Sequence, residues 1–537
     1  MNAPALRRRA LLGLPAAAWL GAGCAPRAPL AHVTGGFSGD SPARGHLLRQ
    51  PWPERAPDAT RRVHTVIAGG GIAGLAAARA LRLAGHEDFA LLELEDVPGG
   101  NSRGAQLMGL ACPLGAHYLP LPGDEARHVQ DLLEELGLRQ RVAGRWIYDE
   151  RHLCHSPQER LFFGGHWQEG LLPTAGVGAA TLAQYRRFAA AVAQAQRQAR
   201  YTIPAFHQQS APIQLAQDAI TFEAWLNRQQ LDDVHLRWYL DYCCRDDYGA
   251  GIASVSAWAG LHYFASRHGF HAPGEGAADE GGGVLTWPEG NGWLSARLAA
   301  PLGDRLHTAR VVGRIAPERH GVVVDALAAD GRLERWQARQ AIVALPVHVA
   351  ARVLRPLPDA VRARAAVLSS APWLVANLRL RAPLDDRPGA APAWDNVLYG
   401  SVGLGYVDAM HQSLSPVPGP TVLTYYRALG DEPQGRARLL QTPWAVWRDA
   451  IVAELEAAHP DLPAKLLRLD VTRHGHAMAV PVPGALGQLQ PWRPASADAP
   501  LRFADAPRLA FAHADWAGYS VFEEAFTLGH AAGAALA

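Results

Sequence analysis

The sequence predicts an α/β protein in which a discontinuous Rossmann-like domain carries an inserted domain of mixed sheet and helices. Three observations indicate this class. A strand, a glycine-rich turn and a helix follow one another from about residue 62. Patterns typical of the same kind of domain occur again near residues 288–350 and 500–537. Helical and mixed patterns fill the stretches between them. The chain has 537 residues, 49% of them hydrophobic, which is enough for two or more domains.

The glycine-rich segment 69–74 follows a short apolar strand and precedes a helix rich in Ala and Leu. In this G-x-G-x-x-G pattern Gly69 makes a tight turn, and Gly71 lets the backbone approach a pyrophosphate. Gly74 lets the helix pack close to the strand. Strand, turn and helix stand in the order that a dinucleotide site requires, so we predict one here.

The first residues of that helix and the end of the next strand complete the predicted site. Ile72 and Ala73 are expected to be the first residues of the helix, so their backbone N–H groups have no partner within it. These free N–H groups and the positive end of the helix dipole favour binding of a diphosphate. Glu93 ends the following strand 24 residues after Gly69. An acid at about this spacing binds a ribose 2′-hydroxyl in such units.

Composition limits the partners and the chemistry. The net charge is +1 with acids and bases interspersed, which gives no reason to expect a nucleic-acid partner. Lys465 is the only lysine, so no other position can supply a lysine to a site. The cysteines show no ligand spacing, and we predict no metal site. Adjacent Cys243 and Cys244 could form a vicinal disulfide or be two thiols that point apart.

The N-terminus is predicted to be an export signal over residues 1–30. Arg8 and Arg9, followed by Leu11 and Leu12, resemble a twin-arginine signal, and the apolar run after them is too short to span a membrane. The sequence thus predicts a periplasmic protein. Cys24 lies in a weak lipoprotein box and is a candidate for a lipid anchor and membrane tether.

Later motifs resemble those of a known family, in the family's order. They are the acid and Gly-Gly turn at 92–100, Leu-Gly-Ala at 114–116, Glu-Gly-Asn-Gly-Trp-Leu at 289–294, Ala-Leu-Pro at 344–346 and Phe-Ala-His-Ala-Asp at 511–515. The chain resembles the flavin-containing amine oxidase superfamily, which also includes phytoene desaturases and protoporphyrinogen oxidases. The resemblance implies an FAD-binding domain over 61–125, 286–350 and 495–537 and a substrate domain over 126–285 and 351–494. The stretch before residue 61 is rich in Pro, Gly, Arg and Ser, a composition that predicts a linker over 31–60.

The resemblance also implies the cofactor contacts. Glu93 would hold the adenosine ribose, Gly100 and Asn101 would follow the glycine turn beside the cofactor, and Val312 would lie near the adenine. Asp515 would accept a hydrogen bond from the ribityl chain. No cysteine lies near Asp515, so we expect FAD to be bound non-covalently.

For function, the resemblance implies oxidation of an amine by hydride transfer to flavin N5, with O₂ or a redox partner as electron acceptor. Trp516 and Tyr519 stand in a W-A-G-Y segment similar to one whose tyrosine forms an aromatic cage for the amine. His117 follows the Leu-Gly-Ala segment beside the flavin. The usual active-site lysine is missing, and Asn377 is the candidate to hold water in its place.

Two alternatives stay open. The missing lysine favours a desaturase-like FAD dehydrogenase of a hydrophobic or cyclic substrate, and a third hypothesis is a flavin-binding redox partner without turnover. His476 is either a base or a strand histidine at the surface. Asp246 and Asp247 could meet a cationic amine or simply end a helix that Gly249 stops.

Overall fold

The computed structural model describes residues 30–154, 158–274, 283–413 and 417–537. The export signal, the twin-arginine pair and Cys24 lie outside these residues, so export and lipidation stay predictions. In the described part of the chain, no helix is long and apolar enough to cross a bilayer. No group of three or more potential ligands there could hold a metal ion.

Strands and helices follow one another along the described chain, in several places as runs of one kind. In chain order, the strands are β1 Thr34–Phe37, β2 Ala59–Arg62, β3 Thr65–Ala68, β4 Phe89–Leu92, β5 Gly104–Leu107, β6 Leu110–Pro113, β7 Tyr118–Pro120, β8 Arg139–Val142, β9 Arg145–Tyr148, β10 Glu159–Phe163, β11 His166–Glu169, β12 Val284–Thr286, β13 Leu306–His307, β14 Arg310–Glu318, β15 Gly321–Ala328, β16 Leu333–Ala338, β17 Gln340–Val343, β18 Ser370–Leu380, β19 Asp395–Leu398, β20 Tyr406–Asp408, β21 Thr421–Ala428, β22 Leu466–Ala479 and β23 Leu509–Phe511. The helices are α1 Pro42–His46, α2 Ile72–Leu83, α3 Arg127–Glu135, α4 Ala179–Gln198, α5 Pro212–Asp218, α6 Phe222–Arg228, α7 Val234–Tyr248, α8 Ala257–Ala265, α9 Gly292–Ala299, α10 Val347–Val353, α11 Asp359–Val367, α12 Gly435–Gln441, α13 Trp444–Leu455, α14 Leu462–Lys465, α15 Ala485–Leu489, α16 Ala514–Ala517 and α17 Phe522–Ala534.

A parallel five-stranded sheet in the order β13-β4-β3-β17-β23 forms the centre of the Rossmann-like domain. Its strands come from all three segments expected to build that domain. β3 and β4 are fully buried and apolar except for Thr65, as expected of strands covered on both faces. Helix α17 packs on α2, where Gly529 approaches so closely that an added Cβ would lie 2.1 Å from the Ala73 oxygen. The predicted α/β class is confirmed.

An eight-stranded mixed sheet supports the other half of the molecule, in the order β1-β22-β18-β21-β20-β19-β10-β11. The long strands β18, β21 and β22 form its antiparallel centre. Helices α4 to α8 cover part of it through a second apolar core that contains Phe188, Phe222 and Trp373. A further core lies between this sheet and helices α12 to α14. Site residues are contributed by α7, β18, β21 and β22.

The segment expected to be a linker over 31–60 is ordered in this structure. β1 pairs in parallel with β22, α1 follows it, and β2 pairs in parallel with β16. The Ser41 N–H donates to Glu95 at 3.0 Å, and the Trp52 ring packs against Gly313. We call residues 34–62 the N-terminal strap, because they connect the eight-stranded sheet to the Rossmann-like domain.

Candidate active site

A long groove runs along the carboxyl ends of β3, β4 and β17. It encloses about 520 Å³. The glycine turn and start of α2 form one wall, and β22 with α12 and the N-terminal strap form the other. Parallel sheets bind ligands at this edge because the loops that follow the strands open there.

The glycine turn leaves space for a phosphate where the sequence predicts it. Gly69 has a φ of +103°, and an added Cβ there would lie 2.3 Å from the Ala344 oxygen. At Gly71 the nearest atom to such a Cβ, the Gly100 Cα, is 4.0 Å away, so the space in front of this residue is open. Gly71 is also the N-cap of α2, with Ile72 and Ala73 beside it in the groove wall. The turn therefore fits a diphosphate at the helix start.

Glu93 lies at the end of the groove where the ribose is predicted to bind. Its carboxylate accepts hydrogen bonds from the N–H groups of Gly70, at 2.7 Å, and Glu95, at 2.8 Å. Burial raises the pKa of Glu93, and these two N–H groups oppose the rise. Val312 lines the groove in the same region. Among the charged side chains of the groove wall, arginines outnumber acids, which suits an anionic ligand.

Asp515 and the turn at 99–101 lie farther along the groove. Asp515 Oδ2 accepts a hydrogen bond from the Val347 N–H, the first of α10, at 2.9 Å. Burial alone would raise the pKa of Asp515, but the neighbouring His513 and this N–H lower it to about 2. Its carboxylate lies behind the groove lining, whereas Gly100 and Asn101 are part of the lining. Asn101 donates to the Ala477 oxygen at 2.7 Å and so connects the two walls.

A smaller cavity of about 160 Å³ opens from the end of the groove. Asn101, Val521 and Phe522 line both spaces, so the two meet at these residues. Three aromatic side chains, Tyr118, Trp373 and Tyr426, line the cavity together with His117. The other ionisable side chains of its lining are Asp246, Asp247, Arg267, Glu523 and His474.

Asp247 and Arg267 neutralise each other within the cavity wall. Arg267 Nη2 donates to Asp247 Oδ1 at 2.9 Å and to the Tyr519 hydroxyl at 2.8 Å. The Tyr519 hydroxyl donates in turn to Asp247 Oδ2 at 2.7 Å. Both carboxylate oxygens of Asp247 are therefore occupied. The neighbouring Asp246 accepts no hydrogen bond and joins no ion pair from the described residues, and burial, followed by the charge of Asp247, raises the pKa of Asp246 to about 7.

The candidates Tyr519 and Trp516 lie away from the cavity surface. Tyr519 is buried beneath it and bound to Asp247 and Arg267. Trp516 packs in the core of the Rossmann-like domain against Phe503 and Phe511. Helix α16 ends at Gly518, whose φ of +70° turns the chain, and Val521 and Phe522 line the cavity instead.

His117 lies in the cavity wall, and Asn377 does not. The His117 ring stacks on Tyr426 with a centroid distance of 4.3 Å, and burial lowers the pKa of His117 to about 3, so the ring is neutral at pH 7. Asn377 donates to the Pro113 oxygen and accepts from Thr424, so both ends of its amide are used inside the protein. On the same strand, the side chains that line the cavity are Trp373 and Val375.

The other candidates lie outside the cavity. His476 lines the groove, with its ring stacked 4.0 Å from that of His348 and its Nδ1 2.9 Å from the Ser370 hydroxyl. Lys465 lies on α14 and binds Asp385 and Asp461. Cys243 and Cys244 are buried thiols without a disulfide.

Comparison with known proteins identifies the fold. The family described as flavin containing amine oxidoreductase matches residues 72–537. The chain belongs to this family. It is an FAD-dependent oxidoreductase, and the groove, with its open glycine turn and basic lining, fits FAD. No curated protein sequence matches the chain.

Solved structures of this fold include enzymes for different substrates. A putrescine oxidase bound to putrescine has a TM-score of 0.64 and 18% identity, and the match covers 89% of this chain and 99% of the other. A cyclohexylamine oxidase from Brevibacterium oxydans has a TM-score of 0.62 and 19% identity, with 88% and 98% covered. A fatty acid isomerase from P. acnes has a TM-score of 0.56 and 13% identity, with 87% and 97% covered. At these identities the likeness shows the fold alone.

Proposed function

We propose that this protein is an exported oxidoreductase that uses FAD to oxidise a small amine. The observation that supports an amine is the carboxyl group of Asp246, which faces a cavity walled by Tyr118, Trp373 and Tyr426 and has no cation bound to it within the described residues. A carboxylate and aromatic faces are the groups that bind an ammonium ion, and each ring face contributes about 0.5–2 kcal/mol.

Cavity size and charge argue against the desaturase-like alternative. The cavity of about 160 Å³ is smaller than the roughly 300–1,000 Å³ of sites for drug-sized ligands. A bulky lipophilic substrate would also bury Asp246 and Glu523 without partners, and unpaired buried charge is costly. A primary amine or a short polyamine fits both the volume and the charge.

FAD held in the groove would supply the redox chemistry, as the acceptor of a hydride equivalent from the substrate carbon. The chain itself binds and orients the amine. Asp246 accepts hydrogen bonds from the ammonium, and the Asp247–Arg267 pair holds the end of α7 in place. Val521 and Phe522 line the cavity at its junction with the groove. No described cysteine lines the groove, which supports non-covalent FAD.

The test is anaerobic reduction of the purified FAD-loaded protein. Putrescine, cyclohexylamine and a long-chain unsaturated fatty acid are added separately, and the flavin absorbance is followed. Bleaching by an amine supports the proposal. Bleaching by the fatty acid alone supports the desaturase-like alternative, and bleaching by dithionite alone supports a redox partner without turnover. Reoxidation by O₂ then tests the electron acceptor.

Asp246→Asn should weaken amine binding. Removing the carboxylate leaves the ammonium without its charged partner, so we expect KM to rise roughly 10–100-fold with a smaller change in kcat. Because the pKa of Asp246 is about 7, the KM of the unmodified enzyme should fall as the pH rises through 7 and the carboxylate forms. The matched control is Asp232→Asn, an exposed aspartate just before the start of α7. An unchanged KM in Asp246→Asn would contradict the assigned role.

A further inference from the structure

Two adjacent glutamates, Glu523 and Glu524, begin α17 at the cavity. Glu523 lines the cavity beside Phe522, and its side chain joins no ion pair with the described residues. Glu524 is completely buried. One of its oxygens, Oε1, accepts from the Ala205 N–H, and the other, Oε2, has no hydrogen-bond partner in the described chain. Glu523 thus lies at the substrate space, and the next residue of α17, Glu524, is buried behind the cavity lining with one oxygen unpartnered.

The groups that face Glu523 leave it able to take up a proton near neutral pH. Helix α7 contributes Asp246 and Asp247, and the segment after α8 contributes Arg267. Tyr519, just before α17, and Glu524, on α17 itself, are the other neighbours. Arg267 is already paired with Asp247. Burial raises the pKa of Glu523 to about 7, with Arg267 opposing the rise. A base with a pKa near the working pH is the most effective proton acceptor.

Beyond Glu524 lies a region of buried polar atoms without protein partners. Thr527 Oγ1 is one turn farther along α17, and Arg493 Nε and both ring nitrogens of His207 lie in the segments that pack against it. Glu524 interacts electrostatically with Glu523 and Arg493, and Arg493 does so with His207. Buried polar atoms of this kind are normally bridged by ordered water. The next residues after His207 reach the surface at Gln209.

We propose that Glu523 is the proton acceptor for the bound substrate ammonium and that Glu524 passes this proton toward the surface through the hydrated region around Thr527 and His207. This inference rests on the proposed function, because it assumes an amine in the cavity. It adds a catalytic residue, Glu523, and a route by which protein side chains carry the substrate proton away.

The proton step is balanced within the cavity. One N–H bond of R–CH₂–NH₃⁺ breaks and an O–H bond forms on Glu523, which gives R–CH₂–NH₂ and a neutral carboxylic acid. Asp246 stays ionised and keeps the nitrogen in place through another N–H. The proton then leaves Glu523 by way of Glu524, so the carboxylate of Glu523 is available again. The free amine has the lone pair that supports loss of hydride from the adjacent carbon.

The experiment uses the FAD-loaded protein in anaerobic stopped flow with the amine that bleaches it, and a pH-indicator dye records proton release in the same reaction. At saturating amine, where the effect of Asp246 on KM no longer shows, the bleaching rate of the unmodified protein should rise with pH, with an inflection near 7. Glu523→Gln should slow bleaching about 100-fold at pH 7 and remove the inflection. Glu523→Asp should keep the inflection at a reduced rate. Glu524→Gln should delay proton release relative to bleaching. Glu318→Gln, at the exposed last residue of β14, is the matched control.

A second measurement does not depend on turnover. Infrared difference spectra of the substrate-free protein between pH 6 and pH 8 should show protonated carboxyl absorption, to which Asp246 and Glu524 also contribute, and this absorption should be weaker in Glu523→Gln. An unchanged bleaching rate and inflection in Glu523→Gln overturn the inference, as does unchanged absorption. Should Glu523→Gln fail to hold FAD, the loss of the inflection in Glu523→Asp overturns it instead. If no amine bleaches the unmodified protein, the proposed function fails, whereas the infrared titration still tests Glu523.

Discussion

Gly71 and Gly74 belong to one motif, but their surroundings differ. At Gly74 an added Cβ would lie 1.9 Å from the Gly69 oxygen, which is part of the turn itself. At Gly71 the same Cβ would have no atom closer than 4.0 Å. Gly74 is therefore required by the packing of the chain, whereas the space at Gly71 matters only when a ligand fills it.

Alanine at these two positions should separate folding from cofactor binding. Gly74→Ala should lower the stability by about 1–3 kcal/mol, because the turn must shift to admit a methyl group. Gly71→Ala should leave the melting temperature of the FAD-free protein nearly unchanged but weaken FAD binding strongly. Melting curves and FAD titrations of both variants check this, with Gly123→Ala, at an exposed and open position, as control. Equal destabilisation by both substitutions would contradict this distinction.

The same contrast explains which site residues can be predicted from the sequence. Residues of the glycine motif and Glu93 have a fixed spacing from a strand, so their direction follows from the local pattern. The direction of Tyr519 depends on the turn at Gly518, which points its ring at Asp247 and Arg267. Tyr426 and Trp373 reach the cavity from strands whose neighbours are far away in sequence, and no local pattern marks them.

At the scale of elements, the N-terminal strap shows what local patterns miss. β1 and β2 are four residues each, and their Gly- and Arg-containing sequences lack the apolar alternation of a strand. They form strands because β22 and β16 offer free edges, so the stabilising contacts are remote. By contrast, β3, β4 and β17 consist mostly of apolar residues, so their local sequences alone predict buried strands.

The strap should slow the release of FAD. His46, Leu48 and Arg49 line the groove, and Arg44 holds the strap to Asp96 through an ion pair. A chain that begins at residue 51 lacks this wall and should release FAD faster than a chain that begins at residue 30. Flavin fluorescence after dilution measures the two rates. If they are equal, the strap has no part in retaining the cofactor.

At the scale of the whole molecule, the order of strands in the eight-stranded sheet could not be predicted. Its strands come from segments spread between residues 34 and 479, and each pairing depends on complementary edges rather than on local propensity. The sequence does predict that the nucleotide-binding segments are interrupted twice. The structure adds that both halves of the molecule form the cofactor groove, since Glu93 and the glycine turn lie on one wall and β22 and α12 on the other.

Because both halves of the molecule line the groove, FAD should stabilise both. A ligand that binds only the folded state contributes about 2.7 kcal/mol when its concentration is 100 times Kd, so the melting temperature should rise with added FAD. Removal of FAD should increase amide hydrogen exchange at the glycine turn and also at residues 473–477 of β22 and 46–49 of the strap. Mass spectrometry of the FAD-free and FAD-loaded proteins makes this comparison. Increased exchange confined to the glycine turn would show that the two walls of the groove are held together by protein contacts alone, such as the bond from Asn101 to Ala477.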